Sequence, residues 1–122
     1  MFIAFASSDK LTIDSHFASA PSFEIYKFGS DGQEISHTSH AAEITDSNDK
    51  VDARISLLQE CAIIYCTQIG GPAAARLVQS GIHPLKVPEG TLIVEELNRL
   101  NKLLLSKKLP PWLKKKLGND KV

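Results

Sequence analysis

The stretch "CAIIYCTQIGGPAAARLVQSGIHPLKV", residues 61 to 87, decides the fold. Residues 61 to 66 are apolar at nearly every position, the pattern of a strand covered on both faces in a parallel sheet. The glycine turn "QIGGP" follows, and Pro72 suits the opening of a helix because its missing N–H has no intrahelical partner there anyway. The alanine-rich "AAARLVQS" continues the helix, and Gly81 ends it. "HPLKV" then returns as a strand, in which Pro84 donates no ladder bond and so points to an edge or a strand start. The result is a strand, helix, strand unit.

Working outward, "FIAFA" at 2 to 6 repeats the continuous apolar pattern and is expected to be the central strand. "SFEIYKF" and "QEISHTSH" flank the turn "GSDG" and read as a hairpin. Val51, Ile55 and Leu58 recur at helical spacing, with Asp49 and Asp52 near the start, and predict a helix over about 49–60. From Thr91, residues Leu92, Ile93, Leu97, Leu100, Leu103 and Leu104 mark one face of a long helix. The expected fold is α/β, a ribonuclease H-like mixed sheet of about five strands in the order 3-2-1-4-5, with helices packed on it. With no repeat or linker in the 122 residues, one domain is expected, its core at 1–109 and a basic tail at 110–122.

The 14 basic and 14 acidic residues cancel, so no overall field favours nucleic acid or an anionic membrane. No apolar run is long enough to span a bilayer, and the N-terminus lacks the marks of a signal peptide, so a cytoplasmic location is expected. Cys61 and Cys66 are the only cysteines and form no zinc motif. Strict strand alternation sends them to opposite faces, as two unbridged core thiols.

Ligands of open α/β sheets favour the carboxyl ends of the parallel strands. Two loops are expected there. One, within "TIDSHFASAPSFEIY" at 12 to 26, carries a lone histidine, His16; the other carries Gly70 and Gly71 ahead of a helix. If strands 2–6 and 61–66 are parallel neighbours, His16 faces a helix N-terminus able to hold an anion. Taken alone, GGP reads first as close packing of the helix on the sheet, aided by Ala73, Ala74 and Ala75, and it matches neither a P-loop nor a dinucleotide fingerprint. His37 and His40 read as solvent-facing and His83 as a strand start. The two central strands carry no carboxylates for two-metal chemistry, which argues against a nuclease. In "KKLPPWLKKKL" the lysines read as a solvated helix end and Trp112 as a hydrophobic anchor.

Together "DSHFASAPSFEIY", "CAIIYCTQIGGPAAARLVQSGIHPLKV" and "LPPWLKKKL" resemble the NifX/NafY family, the dinitrogenase iron-molybdenum cofactor biosynthesis domain, over nearly the whole chain. The PPWL ending is similar to the NifX branch. The resemblance implies a non-catalytic cytoplasmic carrier of the iron-molybdenum cofactor or its iron-sulfur precursor, working between the cofactor assembly proteins and apo-dinitrogenase. The family's cofactor-binding "HFG" carries over onto His16 and Phe17, with Ala18 in place of the glycine. On this reading His16 is the metal ligand, while Ser15, Phe17, Gly70 and Gly71 complete the cofactor-binding loops and Lys10 or Arg54 adds positive charge. A different class of function, a protein-interaction module acting through the Trp112 region without a cluster, is the alternative.

Overall fold

The computed structural model describes residues 1–29, 34–41 and 50–106. In chain order the elements are β1 (Phe2–Ala6), β2 (Thr12–Ile13), a 3-10 turn at Phe17–Ser19, β3 (Ser22–Phe28), β4 (Glu34–Ala41), α1 (Lys50–Leu57), β5 (Cys61–Cys66), α2 (Gly71–Gln79), β6 (His83–Lys86), β7 (Thr91–Leu92) and α3 (Ile93–Ser106). Five strands form one mixed sheet in the order β4-β3-β1-β5-β6. Strand β1 pairs antiparallel with β3 and parallel with β5, and β6 extends the parallel half. Numbered among themselves, these five strands have the order 3-2-1-4-5 expected from the sequence. Trp112, Asp49 and the tail 110–122 lie outside the described residues.

The continuous apolar strands are central because each face has a cover. Ala4, Ala6, Phe23 and Ile64 pack with Ile55 of α1 and Leu77 of α2. Ile3, Phe5, Ile63 and Tyr65 pack on the other side with Ile93 and Leu100 of α3. Phe5 is fully buried and stacks on Tyr65 with ring centroids 4.9 Å apart. Burying one such ring is worth roughly 1.5–3 kcal/mol.

Three local expectations are corrected. Cys61 and Cys66 lie on the same face, among the α1 and α2 contacts, not on opposite faces. The cause is a register shift: Phe2 pairs with Cys61 and Ile3 with Ile63, so Ala62 is an extra residue that reverses the alternation. They remain free thiols at opposite ends of one strand. The helix expected over 49–60 ends at Leu57, and Leu58 and Cys61 continue through turn bonds to Ile55 and Leu58 carbonyls. The last helix opens at Ile93, because Thr91 and Leu92 instead pair with Ile13 and Thr12 as a two-stranded ribbon. Helix α2 ends as expected: Gly81 takes φ +81°, and Ile82 N–H returns to the Leu77 carbonyl at 2.9 Å. Strand β6, with Pro84, is an edge strand.

Candidate functional site

The parallel pairing of β1 and β5 brings their exit loops to one edge of the sheet. The β1 exit is shaped by two carboxylates. Asp9 Oδ1 accepts the N–H groups of Leu11 at 2.9 Å and Thr12 at 2.8 Å, while the Thr12 hydroxyl donates to Oδ2. Those donors, the Thr12 and Leu11 amides foremost, hold the Asp9 carboxyl at about 2. Lys10 is carried through the turn at φ +68°, its N–H bonded to Ser7 Oγ at 2.9 Å. Asp14 accepts the Ser8 N–H at 2.9 Å, the Ser8 hydroxyl, and Ser15 Oγ at 2.8 Å. Partial burial raises its pKa, but the Ser8 and Ser15 bonds outweigh that and leave it below the usual range.

The two exit loops are fastened to each other on either side of His16. The Thr67 N–H donates to the Ser15 carbonyl at 3.0 Å, and the Phe17 N–H donates to the Gln68 carbonyl at 2.9 Å. His16 itself is exposed, with extended backbone (φ −67°, ψ 145°) and no side-chain capping bond. Its neighbours are not. Ser15 is buried with its hydroxyl given to Asp14, and the Phe17 ring is fully buried, 6.0 Å from Phe23. Anchorage is therefore what Ser15 and Phe17 supply, and the imidazole between them is what reaches solvent.

Arg54 is corrected from a source of cargo charge to a buried anchor. It is 1% exposed, and its Nε and Nη2 donate to the Ala20 carbonyl at 3.2 and 2.8 Å, with Nη1 on the Lys50 carbonyl. It thereby pins the far end of the His16 loop to α1. The sequence offered no signal for this beyond an arginine on a helix face. Lys10 remains exposed on the β1 exit loop.

Gly70 caps α2 from an extended conformation, with no side-chain capping bond, so the first-turn amides have no intrahelical acceptor and no local side-chain cap. The close-packing account of GGP is overturned here. A Cβ on Gly71 would meet nothing within 4 Å, and one on Gly70 would meet only Pro72 Cδ at 4.0 Å. Neither residue has positive φ, and both are exposed; the helix presses on the sheet through Ala73 and Leu77 instead. Neither packing nor backbone geometry requires glycine at these two positions.

The other chemically capable residues stand apart from this edge or are inert. Burial pushes the Cys61 thiol up to about 12 and the Cys66 thiol up to about 11. His37 and His40 lie on β4, and His83 opens β6. Among the described residues no three His, Cys, Asp or Glu side chains come together as a metal site.

A family model described as dinitrogenase iron-molybdenum cofactor matches residues 1–103. The chain belongs to this dinitrogenase iron-molybdenum cofactor family. Protein NifY of Klebsiella pneumoniae is 37% identical over 117 residues, which cover 96% of this chain and 51% of that protein. The chain thus spans about half the length of that relative. Protein NifX of Sinorhizobium fredii is 33% identical over 128 aligned residues, covering 98% of this chain and 79% of that one. The crystal structure of PH0822 superposes with a TM-score of 0.63 at 16% identity, covering 92% of this chain and 99% of that one; the likeness shows the shared fold. Among the described residues no helix of this family member is long and apolar enough to cross a membrane.

Proposed function

We propose that the chain is a non-catalytic carrier that binds the iron-molybdenum cofactor or its iron-sulfur precursor during nitrogenase maturation, passing it between cofactor assembly proteins and apo-dinitrogenase in the cytoplasm. Membership of the dinitrogenase iron-molybdenum cofactor family supports the cargo class. One observation supports this site: an exposed imidazole, His16, stands on a loop fastened beside a glycine pair that neither packing nor backbone conformation requires.

The chemistry fits transfer better than storage. A neutral imidazole is a good ligand for iron, and a single one leaves few bonds to break when the cargo moves on. The amides opening α2 offer hydrogen-bond donors and the positive end of a helix dipole to an anionic metal-sulfur cargo. Gly70 and Gly71 let the cargo approach that backbone without meeting a side chain. Ser15, Phe17, Asp14 and Arg54 contribute by holding the loop. A loop tied at Ser15, Phe17 and Ala20 presents its imidazole with little entropy left to lose on binding.

The test is anaerobic titration of the full chain with isolated cofactor and, separately, with the iron-sulfur precursor, followed by absorption and electron paramagnetic resonance. Wild type is expected to take up one of the two, and His16→Ala to lose uptake while melting at the same temperature. Absence of uptake by wild type, or undiminished uptake by His16→Ala, sinks the reading.

A further inference from the structure

Away from the His16 edge, the α3 side of the sheet holds a polar group that the carrier reading does not use. Glu24 on β3 is fully buried. Its Oε1 accepts His37 Nε2 at 2.8 Å and Ser39 Oγ at 2.7 Å, both from β4. Its Oε2 is buried without any hydrogen-bond partner. A buried carboxylate with one oxygen unsatisfied is costly and calls for positive charge nearby.

The geometry also constrains the imidazole. A carboxylate only accepts, and an Oε1 already taking a hydroxyl proton needs the hydrogen on His37 Nε2. In the neutral ring His37 Nδ1 is then the lone-pair nitrogen, on a side chain that is 38% exposed. The ring is held a second time by Tyr26, stacked on it at 4.1 Å and 4°. A carboxylate that fixes a histidine through one nitrogen and leaves the other for a metal is the usual support of a metal-ligating imidazole.

A second donor lies beside it. Strand β4 shifts register between its pairings with Lys27 and Phe28, so Glu34 pairs with Phe28 and His37 with Tyr26. Phe28 and Tyr26 are successive same-face residues of β3, which makes Glu34 and His37 neighbours on the α3 side of β4, roughly 7 Å apart along the strand.

We propose that His37, through Nδ1, and Glu34 bind a borderline divalent cation such as Zn2+, Co2+ or Fe2+ at the outer strand, with Glu24 as the buried carboxylate that orients the imidazole. Metallation makes the Nε2 hydrogen more positive and strengthens its bond to Glu24, which offsets the charge left uncompensated at Oε2. The site lies on β4, whereas His16 lies on the loop before the 3-10 turn, and it stands without His16.

The probe is Zn2+, titrated calorimetrically into the full chain in its wild-type and His16→Ala forms, with long-range imidazole nitrogen NMR as the second readout. Both forms are expected to bind one equivalent at this site, and His37 to show hydrogen on Nε2 before zinc and a shifted Nδ1 after it. His37→Gln is expected to abolish this binding, and Glu24→Gln to weaken it about 10–100-fold. Glu34→Gln, an exposed change with no folding risk, is expected to weaken it about tenfold and decides the matter if Glu24→Gln does not fold. Hydrogen on Nδ1 in the free protein, or zinc affinity unchanged in His37→Gln or Glu34→Gln, overturns the proposal.

Discussion

The Phe17 N–H donates to the Gln68 carbonyl at 2.9 Å, joining the segment that leaves β1 to the segment that leaves β5. The same residue sends its ring wholly into the core against Phe23. Phe17 is thus a nail with its head in one loop and its shaft in the sheet. Truncating it to alanine is expected to cost about 3–5 kcal/mol, read as a lowered midpoint in urea unfolding.

Gly71→Ala separates folding from binding. The position opens a nine-residue helix and has space for a Cβ. The variant is expected to gain about 0.4–1 kcal/mol of stability from reduced freedom of the unfolded chain. If the proposed site is right, cargo uptake is expected to fall, since the methyl group would stand at the backbone the cargo is proposed to approach. A thermal melt and a cluster titration on one preparation check both signs.

Arg54→Met keeps the length of the side chain and removes its bonds to the Ala20 carbonyl. Leaving that acceptor unsatisfied is expected to cost about 1–3 kcal/mol. Hydrogen exchange at residues 15–20 is expected to accelerate more than exchange in β5, whose ladder Arg54 does not touch.

Acid should loosen the β1 exit loop late. Asp9 has its pKa lowered to about 2 from an ordinary value near 3.8, so its stabilising contribution is full above the ordinary value and is lost as pH falls through about 2. The Leu11 and Thr12 amide resonances are expected to titrate with a midpoint close to 2. A midpoint near 3.8 contradicts the turn geometry.

The two thiols should be silent in the native state. With Cys61 at about 12 and Cys66 at about 11, almost no thiolate exists at pH 8, where a free cysteine is substantially ionised. A disulfide reagent is expected to titrate no thiol in the folded protein and two after denaturation.

Much of the architecture was legible in local pattern. The unbroken apolar runs at 2–6 and 61–66 announced central strands, Pro84 announced an edge, and Gly81 announced a helix end, because each depends on the residue and its immediate neighbours. The exposed histidine after the first strand and the glycine pair before α2 were also visible as candidates. Their common edge followed from the expected parallel pairing of the two central strands, but the bonds that fasten the loops to each other did not.

The rest was decided by contacts between distant segments. Alternation predicted opposite faces for Cys61 and Cys66, and one extra residue opposite Phe2 and Ile3 reversed it. Thr91 and Leu92 had helical spacing, yet they pair with Thr12 and Ile13, about eighty positions away. Arg54 looked like surface charge until its guanidinium met the Ala20 carbonyl. By itself, then, the sequence determined the five strands of the main sheet, their order and the three helices packed on it. Only the tertiary structure decided which side chains anchor and which reach solvent, because burial and hydrogen-bond partners are properties of segments brought together from afar.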